Sequence, residues 1–253
     1  MTPTSCATSP QALLLVPGLM CDAAVWNPLL PSLAAYADCH IVDHGMADSL
    51  GTMADQLLAT APPMFAMAGH SMGGRVALEV MRRAPERVTR LALLDTGYKA
   101  KAAGAVGEEE ARKRYALLDI ARTQGVRAMA QVWVQGMVAP ERLSDTDLIE
   151  AIVAMLARKS ADVFANQIQA LLNRPDTMDV LAALRIPTLV ACGQQDSWSP
   201  PSQHEEIASY IPAHPRVHTI LDAGHMATME RPAASSQLLI DWLSQASTPA
   251  STQ

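Results

Sequence analysis

The sequence predicts an α/β fold, in which a doubly wound, mainly parallel sheet of about six strands carries an inserted helical segment. Two observations lead to this prediction. Short apolar runs alternate with helical patterns, as in βαβ units whose parallel sheet is covered on both faces. Between positions 98 and 178, by contrast, helical patterns follow one another with no intervening strand. The 253 residues are 49% hydrophobic and 17% charged, which suffices for a buried core.

Six segments have the length and apolar character of buried strands, far short of the roughly 20 apolar residues of a membrane-spanning helix. The candidate strands are Ala12–Val16, Cys39–Asp43, Met64–Ala68, Arg90–Asp95, Pro187–Cys192 and Arg216–Leu221. We therefore expect a soluble protein in which these segments lie side by side in one sheet.

The helical patterns have buried faces and identifiable starts. Within Gly74–Arg83, apolar residues recur at helical spacing and predict one buried stripe. Ser144 with Asp147 resembles a capping box, which predicts that a helix of the insertion begins there. A second helix of the insertion follows around Phe164 and Ile168.

These patterns predict a discontinuous core with one insertion. The core comprises residues 11–97 and 179–246, and the helical insertion comprises residues 98–178. Residues 1–10 and 247–253, which are rich in Ser, Thr and Pro, are expected to be loose tails.

The charge and cysteine content argue against several classes of partner. The net charge is −6 and no basic run is present, so neither nucleic acid nor a membrane is an expected partner. The 4 cysteines are scattered and form no CxxC pair, and the N-terminal residues lack the positive charge of a secretory signal. We expect a cytoplasmic location. The sequence predicts no particular oligomeric state.

The strongest local signal is Gly69-His70-Ser71-Met72-Gly73-Gly74, directly after an apolar strand and at the start of a helix. A strand–GxSxG–helix arrangement is a nucleophile elbow, in which a strained turn exposes the serine. Glycine is needed there because neighbouring backbone approaches too closely for a Cβ atom. Ser71 is therefore the predicted nucleophile.

A serine hydroxyl is a weak nucleophile, so it requires a base that is itself oriented by an acid. His225 and Asp196 each follow a candidate strand, at the sheet edge expected for Ser71. Asp95, after the fourth strand, is the alternative acid, whereas Asp222 is more typical of a loop cap. Asp196 is the predicted acid, and with it the three residues follow in the chain order Ser, Asp, His that is typical of such a nucleophile elbow.

These separated motifs resemble those of the α/β-hydrolase superfamily, including small bacterial carboxylesterases and enol-lactonase-type hydrolases, from about Ala12 to Ser244. The resemblance implies an oxyanion hole formed by the backbone N–H groups of Leu19 and Met72. It also implies that the inserted helices form a cap over the active site. One departure is that relatives begin with two further strands, whereas a short polar tail precedes Ala12 here.

The resemblance implies a serine hydrolase that cleaves a carboxylic ester, lactone or thioester of a small molecule through an acyl-enzyme. No cofactor is expected, and the scattered histidines predict no metal site. A largely uncharged substrate is expected, because the candidate pocket is apolar and Arg75 is the only cation able to compensate a buried carboxylate. The candidate substrate-binding residues are Met20, Trp198, Met226, Trp133 and Met137.

Two alternatives stay open. The stretch from Gly69 to Arg75 resembles the elbow of a dicarboxylate-handling lyase of the same fold, and the same three catalytic residue types serve C–C bond hydrolases. A non-catalytic small-molecule receptor is the alternative from another class. Turnover of a simple ester would discriminate a receptor from an enzyme.

Overall fold

The computed structural model describes residues 11–245, so the predicted tails lie outside the described residues. The strands are β1 (Gln11–Val16), β2 (Ala37–Ile41), β3 (Phe65–His70), β4 (Val88–Leu94), β5 (Thr188–Gly193) and β6 (Val217–Ile220). Within the described chain they form one six-stranded sheet of order β2-β1-β3-β4-β5-β6, with every pairing parallel. The predicted fold class is confirmed.

Helices flank this sheet and also fill the long interval between β4 and β5. They are α1 (Leu30–Leu33), α2 (Leu50–Thr60), α3 (Met72–Arg83), α4 (Gly104–Thr123), α5 (Val126–Trp133), α6 (Thr146–Ala157), α7 (Ala161–Leu172), α8 (Met178–Ala183), α9 (Pro201–Tyr210), α10 (Ala227–Glu230) and α11 (Pro232–Ser244). No helix between residues 11 and 245 combines the length and the apolar character needed to cross a membrane.

The strand order brings several loops to one edge of the sheet. From β1 the chain adds β2 on one side, and β3 to β6 on the other. Because all strands are parallel, the loops after β1, β3, β4, β5 and β6 leave the same edge. The registers pair Val16 with Gly69 and Gly193 with Ile220, so these strand ends are level with their neighbours. Ligands of open α/β sheets bind outside this carboxyl edge.

The insertion is helical, as the sequence predicts, but one predicted helix start is wrong. Helix α6 begins at Thr146 rather than at Ser144. The side chain of Asp145 accepts a hydrogen bond from the Leu148 N–H at 3.1 Å. Ser144 instead ends a short 3-10 turn, which places Asp145 at the position where a side-chain acceptor stabilises the helix.

Candidate active site

Ser71 lies in the turn between β3 and α3. Its backbone has φ 55° and ψ −118°, a conformation that L residues rarely adopt. The turn is possible because its glycines carry no side chain. A Cβ atom at Gly69 would lie 2.5 Å from the carbonyl oxygen of Gly73, and one at Gly73 would lie 2.7 Å from that of Pro17. Strand, strained turn and helix follow in the order that the motif predicts.

Ser71, His225 and Asp196 form a continuous line of hydrogen bonds. Nε2 of His225 lies 2.8 Å from Oγ of Ser71, and Nδ1 of the same ring lies 2.8 Å from Oδ2 of Asp196. Asp196 follows β5 and His225 follows β6, so the shared sheet edge brings them together. In such a line the imidazole can accept the hydroxyl proton while the carboxylate holds the ring.

Backbone N–H groups hold the carboxylate of Asp196. Its Oδ1 accepts hydrogen bonds from the N–H groups of Trp198 and Ser199, at 2.9 Å each. Burial opposes ionisation, but the charge and hydrogen bond of His225, together with these two N–H groups, hold the pKa of Asp196 below its ordinary value. Asp196 is therefore ionised at neutral pH and can stabilise an imidazolium.

The alternative acid, Asp95, is fully buried and bonds elsewhere. Its Oδ1 accepts a hydrogen bond from the Gly193 N–H at 2.7 Å, and Oδ2 has no hydrogen-bond partner among the described residues. Burial raises the pKa of Asp95 well above its ordinary value, and the charge of Asp196 adds to this. The geometry therefore favours Asp196 over Asp95 as the acid that orients His225.

His70 supports the backbone beside this line. Its Nε2 donates a hydrogen bond to the carbonyl oxygen of His225 at 2.8 Å. Burial, together with the charge of His225, lowers the pKa of His70 to about 4, so the ring is neutral at pH 7. Within residues 11–245, no group of three or more His, Cys, Asp and Glu side chains could hold a metal ion.

The two N–H groups predicted to bind an oxyanion belong to elements that meet at Ser71. Met72 is the first residue of α3, where N–H groups have no partner within the helix. Leu19 lies in the loop after β1, which approaches so closely that a Cβ atom at Gly18 would lie 3.1 Å from Cβ of Ser71. The N–H of Met20 is already used, because it donates to Oε1 of Gln167 at 2.7 Å.

A cavity of about 520 Å³ opens beside Ser71 and His225. Its apolar wall includes four of the predicted substrate-binding residues, Trp133, Met137, Trp198 and Met226. The rings of Trp133 and Trp198 stack with 5.6 Å between centroids, and the Trp198 ring lies 4.9 Å from that of His225. The insertion and the loops after the strands together enclose the reacting groups.

Met20 does not line this cavity, contrary to the prediction. Its backbone has φ 61°, which turns the side chain into the main hydrophobic cluster, where it is fully buried. Its neighbour Leu19 lines the cavity in its place. Position beside a catalytic loop predicts proximity to the site, but the local backbone conformation decides which side chain faces it.

The expectation that Arg75 is the only cation able to compensate an anion is also wrong. Lys113, Arg114 and Arg174 line the same cavity. Lys113 and Arg114 lie on α4, and Arg174 follows α7, so only the packing of the insertion brings them to the site. In the sequence, cations at these helical positions resemble those of a solvated surface.

Two buried residues that hold the site together were not predicted. Glu230 accepts hydrogen bonds from the N–H groups of Gly224 at 2.9 Å and Met226 at 3.1 Å, on both sides of His225, and from that of Ala139 at 2.8 Å. Gln167, on α7, holds the loop after β1 through the Met20 N–H. In the sequence, both are polar residues at helical positions whose neighbours on the same face are apolar, and this pattern is the signal that could have indicated a structural role.

Comparison with known proteins identifies the family. A model of the alpha/beta hydrolase family matches residues 13–237. The pimeloyl-[acyl-carrier protein] methyl ester esterase of Photobacterium profundum is 38% identical over 100 residues, a match that spans 36% of this chain and 39% of that relative. The enzyme of the same name from Vibrio campbellii is 25% identical over 210 residues, 79% of this chain and 82% of the relative.

Solved structures agree with this assignment. A thermophilic esterase from Thermogutta terrifontis, solved with malate bound, superposes with a TM-score of 0.80 at 26% identity, covering 93% of this chain and 90% of the other. The match includes the sheet and the helical insertion, since it extends over nearly the whole chain. The protein described here belongs to the alpha/beta hydrolase family.

Proposed function

We propose that this protein is a serine hydrolase that cleaves a carboxylic ester of a small molecule through an acyl-enzyme. The observation that carries the proposal is the line of two 2.8 Å hydrogen bonds from Ser71 through His225 to Asp196, beside a cavity of about 520 Å³. In the proposed mechanism, Ser71 is the nucleophile, His225 is the general base and Asp196 is the acid that orients His225.

In the first half of the reaction, Oγ of Ser71 attacks the ester carbonyl carbon as its proton passes to Nε2 of His225. The carbonyl oxygen becomes an oxyanion, which the N–H groups of Leu19 and Met72 stabilise. Each such donor contributes about two to three orders of magnitude in rate. The tetrahedral intermediate then collapses, the C–O bond to the alcohol breaks, and His225 returns the proton to the departing alkoxide.

The second half repeats these steps with water. His225 takes a proton from a water molecule, whose oxygen attacks the acyl carbon. The bond between the acyl carbon and Oγ of Ser71 then breaks, and the imidazolium of His225 protonates Oγ. The products are an alcohol and a carboxylic acid, and no cofactor or metal is required. Lactones and thioesters follow the same steps with a different leaving atom.

We propose that residues 98–178 form a cap that closes over the core of residues 11–97 and 179–246. Trp133 of the insertion stacks on Trp198 of the core, so the two parts share one wall of the cavity. A cavity bounded by a cap favours a monomeric small molecule over a lipid interface. A cytoplasmic location is part of the same proposal. Relatives named as methyl ester esterases support ester hydrolysis.

The test is a panel of nitrophenyl esters with acyl chains of increasing length, assayed on the wild type, Ser71→Ala and Ser144→Ala. Ser144 is an exposed serine far along the chain and serves as the control. We expect turnover by the wild type and by the control, and a loss of at least about ten-thousand-fold in kcat for Ser71→Ala. A Ser71→Ala protein with full activity would contradict the proposal. Binding of esters without turnover by the wild type would favour the receptor alternative.

A further inference from the structure

The charged side chains that line the cavity are mostly cations, although the chain as a whole carries a net charge of −6. Its charged lining residues are the cations Arg75, Lys113, Arg114 and Arg174 and a single carboxylate, that of Glu110. His70 adds no charge, since burial lowers its pKa to about 4. The lining of the cavity therefore combines a surplus of positive charge with an apolar wall.

Glu110 is already occupied by two of these arginines. Arg174 donates to both of its carboxylate oxygens, Nη1 to Oε1 at 2.7 Å and Nη2 to Oε2 at 2.8 Å. Arg114 donates to Oε1 from Nε at 3.0 Å and from Nη2 at 2.9 Å. Lys113 is paired outside the cavity, with Glu109 at 3.5 Å. One carboxylate thus compensates two guanidinium groups.

Arg75 has no such partner. No carboxylate among the described residues lies within ion-pair distance of it, and its one hydrogen bond runs from Nη1 to the carbonyl oxygen of Lys99 at 3.0 Å. Nε of Arg174 donates to the same oxygen at 3.2 Å, so two guanidinium groups lie close together. Burial and the charges of Arg174 and Arg114 lower the pKa of Arg75 to about 9, while Glu110 and Asp176 oppose this. The group is still cationic at pH 7.

The guanidinium of Arg75 is within reach of a substrate bound at Ser71. Ser71 lies in the turn that precedes α3 and Arg75 in the first turn of that helix, and both residues line the same cavity. Gly97 leaves room for the guanidinium, because a Cβ atom there would collide with Nη2 of Arg75 and lie 2.8 Å from Nε2 of Gln203. Both Arg75 and Gly97 line the cavity.

We propose that Arg75 binds a carboxylate of the substrate, so that the ester cleaved at Ser71 belongs to a small molecule carrying a second, ionised carboxyl group a short chain away. The inference rests on the proposed function for the reaction and adds the class of substrate. A carboxylate suits the site because its two oxygens match the planar fork of one guanidinium. The apolar wall of Trp133, Trp198 and Met226 accommodates the hydrocarbon part.

The first test measures binding without hydrolysis. Ser71→Ala protein is titrated calorimetrically with monomethyl adipate and with its neutral counterpart, in which a primary amide replaces the carboxylate. We expect the carboxylate to bind about tenfold tighter or more, and less tightly as salt is added. Equal binding of the two compounds, or no binding of the carboxylate, would overturn the inference.

Variants in the same Ser71→Ala background identify the residue. Arg75→Met should remove the preference for the carboxylate, Arg75→Lys should retain part of it, and Arg112→Met should leave it unchanged. Arg112 is a matched control because it lies on α4, is 72% exposed and pairs with Glu109. Thermal unfolding checks that each variant is folded. A preference that survives in folded Arg75→Met would contradict the assignment.

A kinetic arm separates this inference from the proposed function. On otherwise wild-type protein, Arg75→Met should lower kcat/KM for the carboxylated ester at least about tenfold more than for the neutral amide ester. If the protein cleaves both esters through Ser71 with equal efficiency, the substrate class is wrong and the hydrolase stands. If Ser71→Ala binds the carboxylate selectively but the wild type cleaves neither ester, the hydrolase is wrong and the carboxylate site stands.

Discussion

Ser71 Oγ lies 2.8 Å from Nε2 of His225, although 154 positions separate the two residues in the chain. The distance follows from the fold, because β3 and β6 end at the same edge of one parallel sheet. Ser71 is held by a strained turn, and His225 by the loop that Glu230 clamps from both sides. Each group is fixed before substrate arrives, which lowers the reorganisation needed for catalysis.

Replacing Asp196 by asparagine should abolish most of the activity. An amide in place of the carboxylate holds the imidazole in the wrong tautomer, and the same change in a serine protease costs about ten-thousand-fold in kcat. Asp95→Asn is the matched control. Its buried acid is stabilised in the neutral form, which asparagine mimics, so kcat/KM should change only a few-fold. Steady-state kinetics on both variants decide between the acids, and the reverse pattern would show that Asp95 orients His225.

The stability of the protein should fall as the pH drops from about 6.5 towards 4, in part because of His70. The pKa of His70 is lowered from 6.5 to about 4 by burial, so the unfolded chain binds its proton first. The contribution of His70 to the free energy of unfolding is up to about 3 kcal/mol. It is present above pH 6.5 and is lost as the pH falls from about 6.5 towards 4.

Denaturant unfolding of the wild type and His70→Asn across this pH range measures the contribution. Asparagine cannot take up a proton, while its amide can still donate to the carbonyl oxygen of His225. The variant should therefore show the weaker pH dependence. His44 and His204, whose pKa values burial also lowers, contribute in the same direction in both proteins. Parallel curves for the two proteins would contradict the assignment to His70.

Glu230→Gln should destabilise the protein and slow catalysis together. The carboxylate accepts three backbone N–H groups, and a glutamine would direct its own N–H groups at some of them. The expected loss in the free energy of unfolding is about 1–3 kcal/mol. Glu150→Gln is the control, because Glu150 forms only an exposed ion pair with Arg127, and its replacement should lower the free energy of unfolding less than Glu230→Gln does. Equal unfolding midpoints for the two variants would exclude a clamping role for Glu230.

The sequence predicts the sheet well, since a parallel sheet between helices requires apolar runs. It is less exact at the edge strand, because β2 begins at Ala37 rather than at Cys39 and alternates buried or half-buried positions with exposed ones. The helix cap is Asp145 rather than the predicted Ser144, and residues of both types stabilise a helix start. Such boundaries depend on packing that a local pattern does not contain.

The residues proposed to carry the chemistry could be found because each has a local signature after a strand. The surroundings of the site could not. Gln167 bonds to a residue far away in the chain, as Glu230 does to Ala139, and Arg174 is brought to the cavity only by the packed insertion. The sequence led to the expectation of a largely uncharged substrate because the cations of α4 resemble surface residues in the sequence. Only the packing of α4 against the rest of the protein shows that they line the cavity.

Covalent labelling is the most direct test of Ser71 as the nucleophile. The wild type, Ser71→Ala and Ser144→Ala proteins are treated with a fluorophosphonate, digested, and the labelled peptide is located by mass spectrometry. We expect one phosphonylated residue, Ser71, in the wild type and in Ser144→Ala, and no label on folded Ser71→Ala. Esterase activity should fall in proportion to labelling. A label on another serine, or an esterase activity that persists after complete modification of Ser71, would contradict this assignment.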